Sequence, residues 1–217
     1  APQDPQAAGR EIERGINTLR LNGIIINSHT NNEYLSAQRY WPILEAAEAL
    51  DAALYIHPRD PSAQLSGSDI PHMSGAGWAY GVEVGTHVMH MIAAGVFDRF
   101  PKLRIVIGHG GEALPNWLPR IDNRYLSGIR GARPLQRLPS EYVLNNIWIT
   151  TSGMNYEPQV QMCIKVMGLE RVMYAIDYPF ENQGEAVGFL EAMQLTDAQK
   201  QRFCEHTARQ IFRIRMA

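Results

Sequence analysis

Five short apolar runs constrain the fold of this chain more than anything else in it: GIIIN at 23–27, ALYIH at 53–57, IVI at 105–107, NIWITT at 146–151 and VMYAI at 172–176. Runs of this length and composition read as strands covered on both faces, which is the habit of parallel sheets. Helical patterns separate them: Ala7 to Leu19, Ser36 to Leu50, Trp78 to Phe97, Glu112 to about Tyr125 with breaks at Pro115 and Pro119, Pro158 to Gly168, and two more after the last run. Strand and helix in alternation give parallel βα units, in either an open doubly wound sheet or a (β/α)8 barrel.

Composition narrows the function classes. At 217 residues, 45% hydrophobic and 19% charged, the chain can bury a core and is expected to form one domain over 1–217. A formal net charge of -2 and seven dispersed histidines offer no basic face for nucleic acid and no polybasic membrane element, so small molecules are the expected partners. No apolar run is long enough for a membrane span, and nothing at the start resembles a signal peptide. Cys163 and Cys204 lie far apart and no CxxC occurs, which suits a reducing compartment and a cytoplasmic location.

Chemistry gathers where the apolar runs end. In RIVIGHGGEALPNWLPRID at 104–122, His109 follows the third run, glycines at 108, 110 and 111 free the backbone to turn, and Glu112 stands three residues on. A carboxylate at that spacing can fold back on the imidazole, fix its tautomer and raise its basicity. His57 and Asp177 end two other runs. In a barrel such positions converge on one mouth, where imidazole and carboxylate together suit zinc or manganese. The other histidines are weaker candidates. His87 and His90 have helical spacing within an apolar helix beside Glu83 and fit packing or substrate contact better than metal binding, while His29, His72 and His206 are expected in solvent. The long Pro/Ser/Gly stretch from Arg59 to Gly77 suits a lid, and GIRGARPLQRLP at 128–139 a surface loop. Phosphate loops and the GxSxG nucleophile pattern are missing.

The succession YIHPRDP at 55–61, IGHGGEALPNWLPRID at 107–122 and YAIDYPF at 174–180, with INSHTNNEYL at 26–35, resembles the amidohydrolase superfamily. The likeness is greatest to its metal-dependent non-oxidative decarboxylases, which act on γ-resorcylate, 2,3-dihydroxybenzoate or 5-carboxyvanillate, and more distantly to aminocarboxymuconate semialdehyde decarboxylase. The resemblance implies a distorted (β/α)8 TIM barrel, one divalent metal ion (Mn2+ or Zn2+), an aromatic carboxylate substrate and a homo-oligomer, dimer or tetramer. Residue by residue, it implies that His57 and Asp177 bind the metal, that His109 supported by Glu112 works beside it, and that Arg120 meets the substrate's anionic group. Phe180 would cover the ring, and Asn27, at the strand end where dinuclear relatives place a bridging lysine, points to a single metal.

One departure is large. Family members carry a Glu-x-His or His-x-His pair on the first barrel strand, and no such element occurs here, so the chain is expected to hold about the last five βα units, with an open sheet edge and an exposed barrel interior. Thr207 in HTARQIF, where relatives often have asparagine, is a smaller departure. The expected reaction is protonation of the ring carbon with loss of carbon dioxide, Asp177 relaying the proton and His109 with Glu112 managing charge. In a competing scheme His109 generates a metal hydroxide that attacks the substrate. A hydrolase or hydratase of ring-cleavage products, and a catalytically silent incomplete barrel, are the remaining alternatives.

Overall fold

The computed structural model describes residues 1–65, 67, 70–129 and 131–214. Five strands, β1 (Gly23–Asn27), β2 (Ala53–His57), β3 (Ile105–Ile107), β4 (Ile147–Thr150) and β5 (Val172–Met173), form one sheet in the order β1-β2-β3-β4-β5. Every neighbouring pair is parallel. A doubly wound sheet reverses its strand order at a switch point; this one advances one strand at a time, as the wall of a barrel does. Strand order therefore decides between the two architectures the sequence allows.

The sheet has two apolar faces, as the unbroken runs require. Leu54, Ile56, Ile105, Ile107, Ile147 and Ile149 pack outward into the larger core, against Leu44 of α2 (Trp41–Ala49), Val88 and Met91 of α3 (Ala79–Ala93) and Phe97 of α4 (Val96–Arg99). The alternate residues face the barrel interior, where Ala53, Val106 and Met173 meet Tyr55, Trp148 and, from below, Ile211 of the last helix (Thr207–Ile211) and Phe212. Register places Ile25, Tyr55, Val106 and Trp148 in one interior layer. At the β1 end that layer is open: Ile25 is 66% exposed.

Several elements depart from the sequence reading for local reasons. The run at 172–176 is a strand only through Met173, because beyond it the side chain of Thr151 takes the place of a ladder partner. Its Oγ1 accepts from the Ala175 amide at 2.9 Å and donates to the Ala175 carbonyl at 2.8 Å. The helix expected over 78–97 is two, parted by Gly95 at φ 71°, a left-handed stop that suits glycine. Conversely α5 (Leu114–Leu126) runs through both of its prolines. Pro115 lies in the first turn, where no backbone donor is needed, and Pro119 removes one ladder bond from a helix held by buried Leu114 and Leu118. The stretch from 59 to 77 contains two 3-10 turns, Ala63–Leu65 and Gly75–Gly77; Ser66, Ser68 and Asp69 of the expected lid, and Arg130 of the expected surface loop, lie outside the described residues.

Ile107 is fully buried one residue before the turn that carries His109. Its replacement by alanine is expected to cost about 2–5 kcal/mol, read as a lower urea midpoint at unchanged slope.

Candidate active site

The turn after β3 is built from glycines and strain. His109–Gly111 forms one 3-10 turn, and a side chain at Gly111, φ 77°, would come within 2.9 Å of the Ile149 methyl. Glu112 does not open the following helix as the sequence suggested; with His109 (φ 51°) and Ala113 (φ 62°) it takes left-handed backbone (φ 51°), and α5 begins at Leu114. Non-glycine residues hold such conformations at a cost of about 1–3 kcal/mol each and cluster at functional sites. The consequence here is direct. The Glu112 carboxylate turns back, and its Oε1 accepts from His109 Nδ1 at 2.7 Å while only 5% of its side chain is exposed. Gly81 on α3 makes room for it, since a Cβ there would stand 2.9 Å from Glu112 Oε2.

The Glu112 bond leaves His109 Nε2 facing Asp177 Oδ2 across 3.8 Å, too far for a hydrogen bond and close enough for both to touch one small group between them. Burial pulls the His109 pKa down, but the hydrogen bond and charge of Glu112, with the charges of Asp177 and Glu181, outweigh it and hold the imidazole above its ordinary value. Asp177, four residues past β5, is also left-handed (φ 71°). His109, Glu112 and Asp177 share the wall of a cleft of about 1000 Å³, within the usual range for ligand sites. Its other walls are mainly apolar, with Trp78, Met89, Trp117 and Ile121 among them.

The remaining sequence candidates divide. Asn27 and His57 are register partners at the ends of β1 and β2, on the same rim but outside the cleft lining. His57 Nδ1 lies 2.7 Å from the Pro58 carbonyl, which assigns its proton and leaves Nε2 with a free lone pair. Arg120 is exposed on α5 and Phe180 is 82% exposed, so the structure does not bring either to the cleft. His29 is not solvated as expected: it is buried, with Nδ1 accepting from the Asn32 amide and Nε2 near the Asp60 carbonyl. His87 is buried, as packing requires, and His90 lines the cleft.

Sequence reasoning missed Ser152, which lines the cleft in left-handed backbone (φ 39°) and joins Thr150 Oγ1 at 2.6 Å and Tyr55 OH at 3.4 Å. The hydroxyl-rich TTS at 150–152, where the fourth apolar run ends, was the available signal.

For a divalent metal the donors are right in kind, one imidazole nitrogen with its tautomer fixed and one half-exposed carboxylate. Among the described residues no three His, Cys, Asp or Glu side chains converge to hold an ion. His57 and Asp177 are each donors of the kind such an ion takes, and the rest of a coordination sphere would have to come from groups these residues do not supply.

Residues 1–214 match the amidohydrolase family model. The chain belongs to the amidohydrolase family. Its five βα units are accordingly part of a (β/α)8 barrel. It is 32% identical to a γ-resorcylate decarboxylase from Polaromonas sp. (strain JS666), over 98% of this chain and 68% of that one. The crystal structure of 5-carboxyvanillate decarboxylase from Sphingomonas paucimobilis superposes with a TM-score of 0.96 at 45% identity, covering 99% of this chain and 65% of that one. A 5-carboxyvanillate decarboxylase from Novosphingobium aromaticivorans, crystallised with manganese and 4-hydroxy-3-methoxy-5-nitrobenzoic acid, gives 0.93 at 39% identity, covering 99% and 62%. The chain thus spans about two thirds of the length of these relatives.

Glu112→Gln in the metal-free protein is expected to return His109 toward its ordinary pKa of 6.5, read by NMR titration. A raised folded-state pKa stabilises the fold fully below the unfolded value and loses that contribution as pH rises through the folded one. Thermal melts should therefore show wild type ahead of the variant below pH 6.5 and the difference narrowing above it.

Proposed function

We propose that this amidohydrolase catalyses metal-dependent, non-oxidative decarboxylation of a hydroxylated aromatic carboxylate. The observation that supports it most is the His109–Glu112 pair facing Asp177 across 3.8 Å on the wall of a largely apolar cleft. The cleft receives a flat ring, and the polar group on its wall meets the carboxylate end. In this reading His57 Nε2 and Asp177 would hold the metal, which when bound would supply a template and a Lewis acid.

The proton work falls to the chain's own residues. Asp177 takes the proton of the ortho hydroxyl and delivers it to the ring carbon bearing the carboxylate. The carbon–carbon bond then breaks, its electron pair restores the aromatic ring, and carbon dioxide leaves from a phenolate product. His109, oriented by Glu112 and kept cationic further up the pH scale than an ordinary histidine, sets positive charge against the carboxylate and the dearomatised ring. Trp78, Met89 and Trp117 give the ring an apolar wall. Arg120 and Phe180, as placed, stay outside these contacts. A homo-oligomer in the cytoplasm belongs to the same reading: Tyr178 and Phe180 beside the site are surface that assembly would cover, and both cysteines are free.

Assay of a panel of ortho-hydroxybenzoates and 5-carboxyvanillate is expected to show ring product with carbon dioxide as the first released species. Chelation should abolish turnover and manganese restore it, and Asp177→Asn should lower kcat by about 10²–10⁴. An initial burst of bicarbonate would replace the proton-transfer scheme with hydroxide attack, and turnover of esters or lactones without loss of carboxylate would replace decarboxylation with hydrolysis.

A further inference from the structure

Glu83 and His87, one turn apart on α3, are both wholly buried. No ion pair among the described residues involves Glu83. A buried carboxylate without a counter-ion is costly unless hydrogen bonds replace its water, and here they do. Oε1 accepts from Ser28 Oγ at 2.8 Å; Oε2 accepts from Tyr34 OH at 3.1 Å and from the Ser62 amide at 3.0 Å.

The histidine completes the network in one direction only. The Leu35 amide donates to His87 Nε2 at 3.1 Å, so the ring proton sits on Nδ1 and is donated to Ser28 Oγ at 3.1 Å. Ser28 must then give its own proton to Glu83. With the Tyr34 proton on Glu83, Ser62 Oγ donates to the Tyr34 oxygen at 2.9 Å. Burial keeps the imidazole neutral, with its pKa pushed down to about 3.

These bonds join the loop after β1, the loop after β2 and α3, and they bracket one short segment. At one end of 57–62 the His57 carbonyl accepts from the amide of Ser28, which is held left-handed (φ 24°) beside Glu83. At the other end the Ser62 amide bonds Glu83 itself. Between the two, His57 Nδ1 is tied to the Pro58 carbonyl. We infer that Glu83 is a positioning residue for His57: through Ser28 and Ser62 it clamps both ends of the 57–62 segment and so fixes where the His57 Nε2 lone pair points. This deepens the proposed function and rests on it for the metal-binding role of His57; the clamp itself stands on the hydrogen bonds.

The test compares wild type, Glu83→Gln and Tyr34→Phe in the protein with its natural N terminus, by amide hydrogen exchange without metal and by Mn2+ affinity from electron paramagnetic resonance. Glu83→Gln should speed exchange in 28–35 and 57–62 by about tenfold or more while β3 and β4 keep wild-type rates. Mn2+ binding should weaken by about tenfold or more, as when a residue orienting a metal ligand is lost. Tyr34→Phe, which removes one donor of three, should move both readouts in the same direction by smaller steps, and it decides the matter if Glu83→Gln does not fold. Unchanged exchange at 57–62 overturns the clamp. Exchange that rises equally in β3 and β4 overturns it too, since Glu83 would then be a general stabiliser. Mn2+ affinity equal to wild type in the presence of loosened loops overturns the link to His57. Should wild type itself take up no Mn2+, the metal reading of the proposed function fails alone, and the exchange data still decide the clamp.

Discussion

A parallel strand has no hairpin to end it; at its C-terminal end the chain must leave the ladder and turn toward a helix within a few residues. Four of these five strands are followed by a non-glycine residue in left-handed backbone, Ser28 after β1, His109 after β3, Ser152 after β4 and Asp177 after β5. The sheet, buried on one face by the helices and on much of the other by interior residues, is stiff enough to hold such strain in place. The same turns aim His109, Ser152 and Asp177 into one cleft. Fold and site thus meet at the rim, where the hydrogen-bond ladder runs out.

Helix α3 organises that rim through two carboxylates handled in different ways. Glu112 comes to it from the next unit, enters the space that Gly81 leaves, and spends its charge on His109. Glu83 belongs to α3 itself and spends its charge on amides and hydroxyls of two loops. The first arrangement tunes an imidazole that faces the cleft; the second ties together the loops around His87, which burial keeps neutral. One helix therefore stands between a histidine that faces the cleft and one buried away from solvent.

Much of this was legible in the sequence, for physical reasons. Apolar runs of Ile and Val marked the strands because burial on both faces leaves no alternative composition, and polar residues closing those runs marked the rim. The Glu112–His109 bond followed from a three-residue spacing across glycines. What lay hidden depended on contacts between distant segments. Ala175 leaves the ladder because Thr151 offers a side chain in place of a strand, and His29 is buried because Asn32 and Asp60 receive it. Arg120 and Phe180 carry the family pattern in sequence, yet their outward placement is set by α5 and the turn after Asp177, which pattern alone does not orient. Glu83 read only as a neighbour of two histidines, since its partners lie 21 to 55 residues away.

Central to the proposed function is that His57 and Asp177, from strands far apart in sequence, bind one metal beside His109. The most direct measurement is anomalous diffraction at the manganese edge from crystals soaked with Mn2+ and an ortho-hydroxybenzoate. One peak about 2.0–2.3 Å from both His57 Nε2 and an Asp177 oxygen, with the ring in the Trp78–Trp117 cleft, is the predicted result. A peak that engages His90 or His29 instead, or ordered substrate with no peak at the rim, would contradict it.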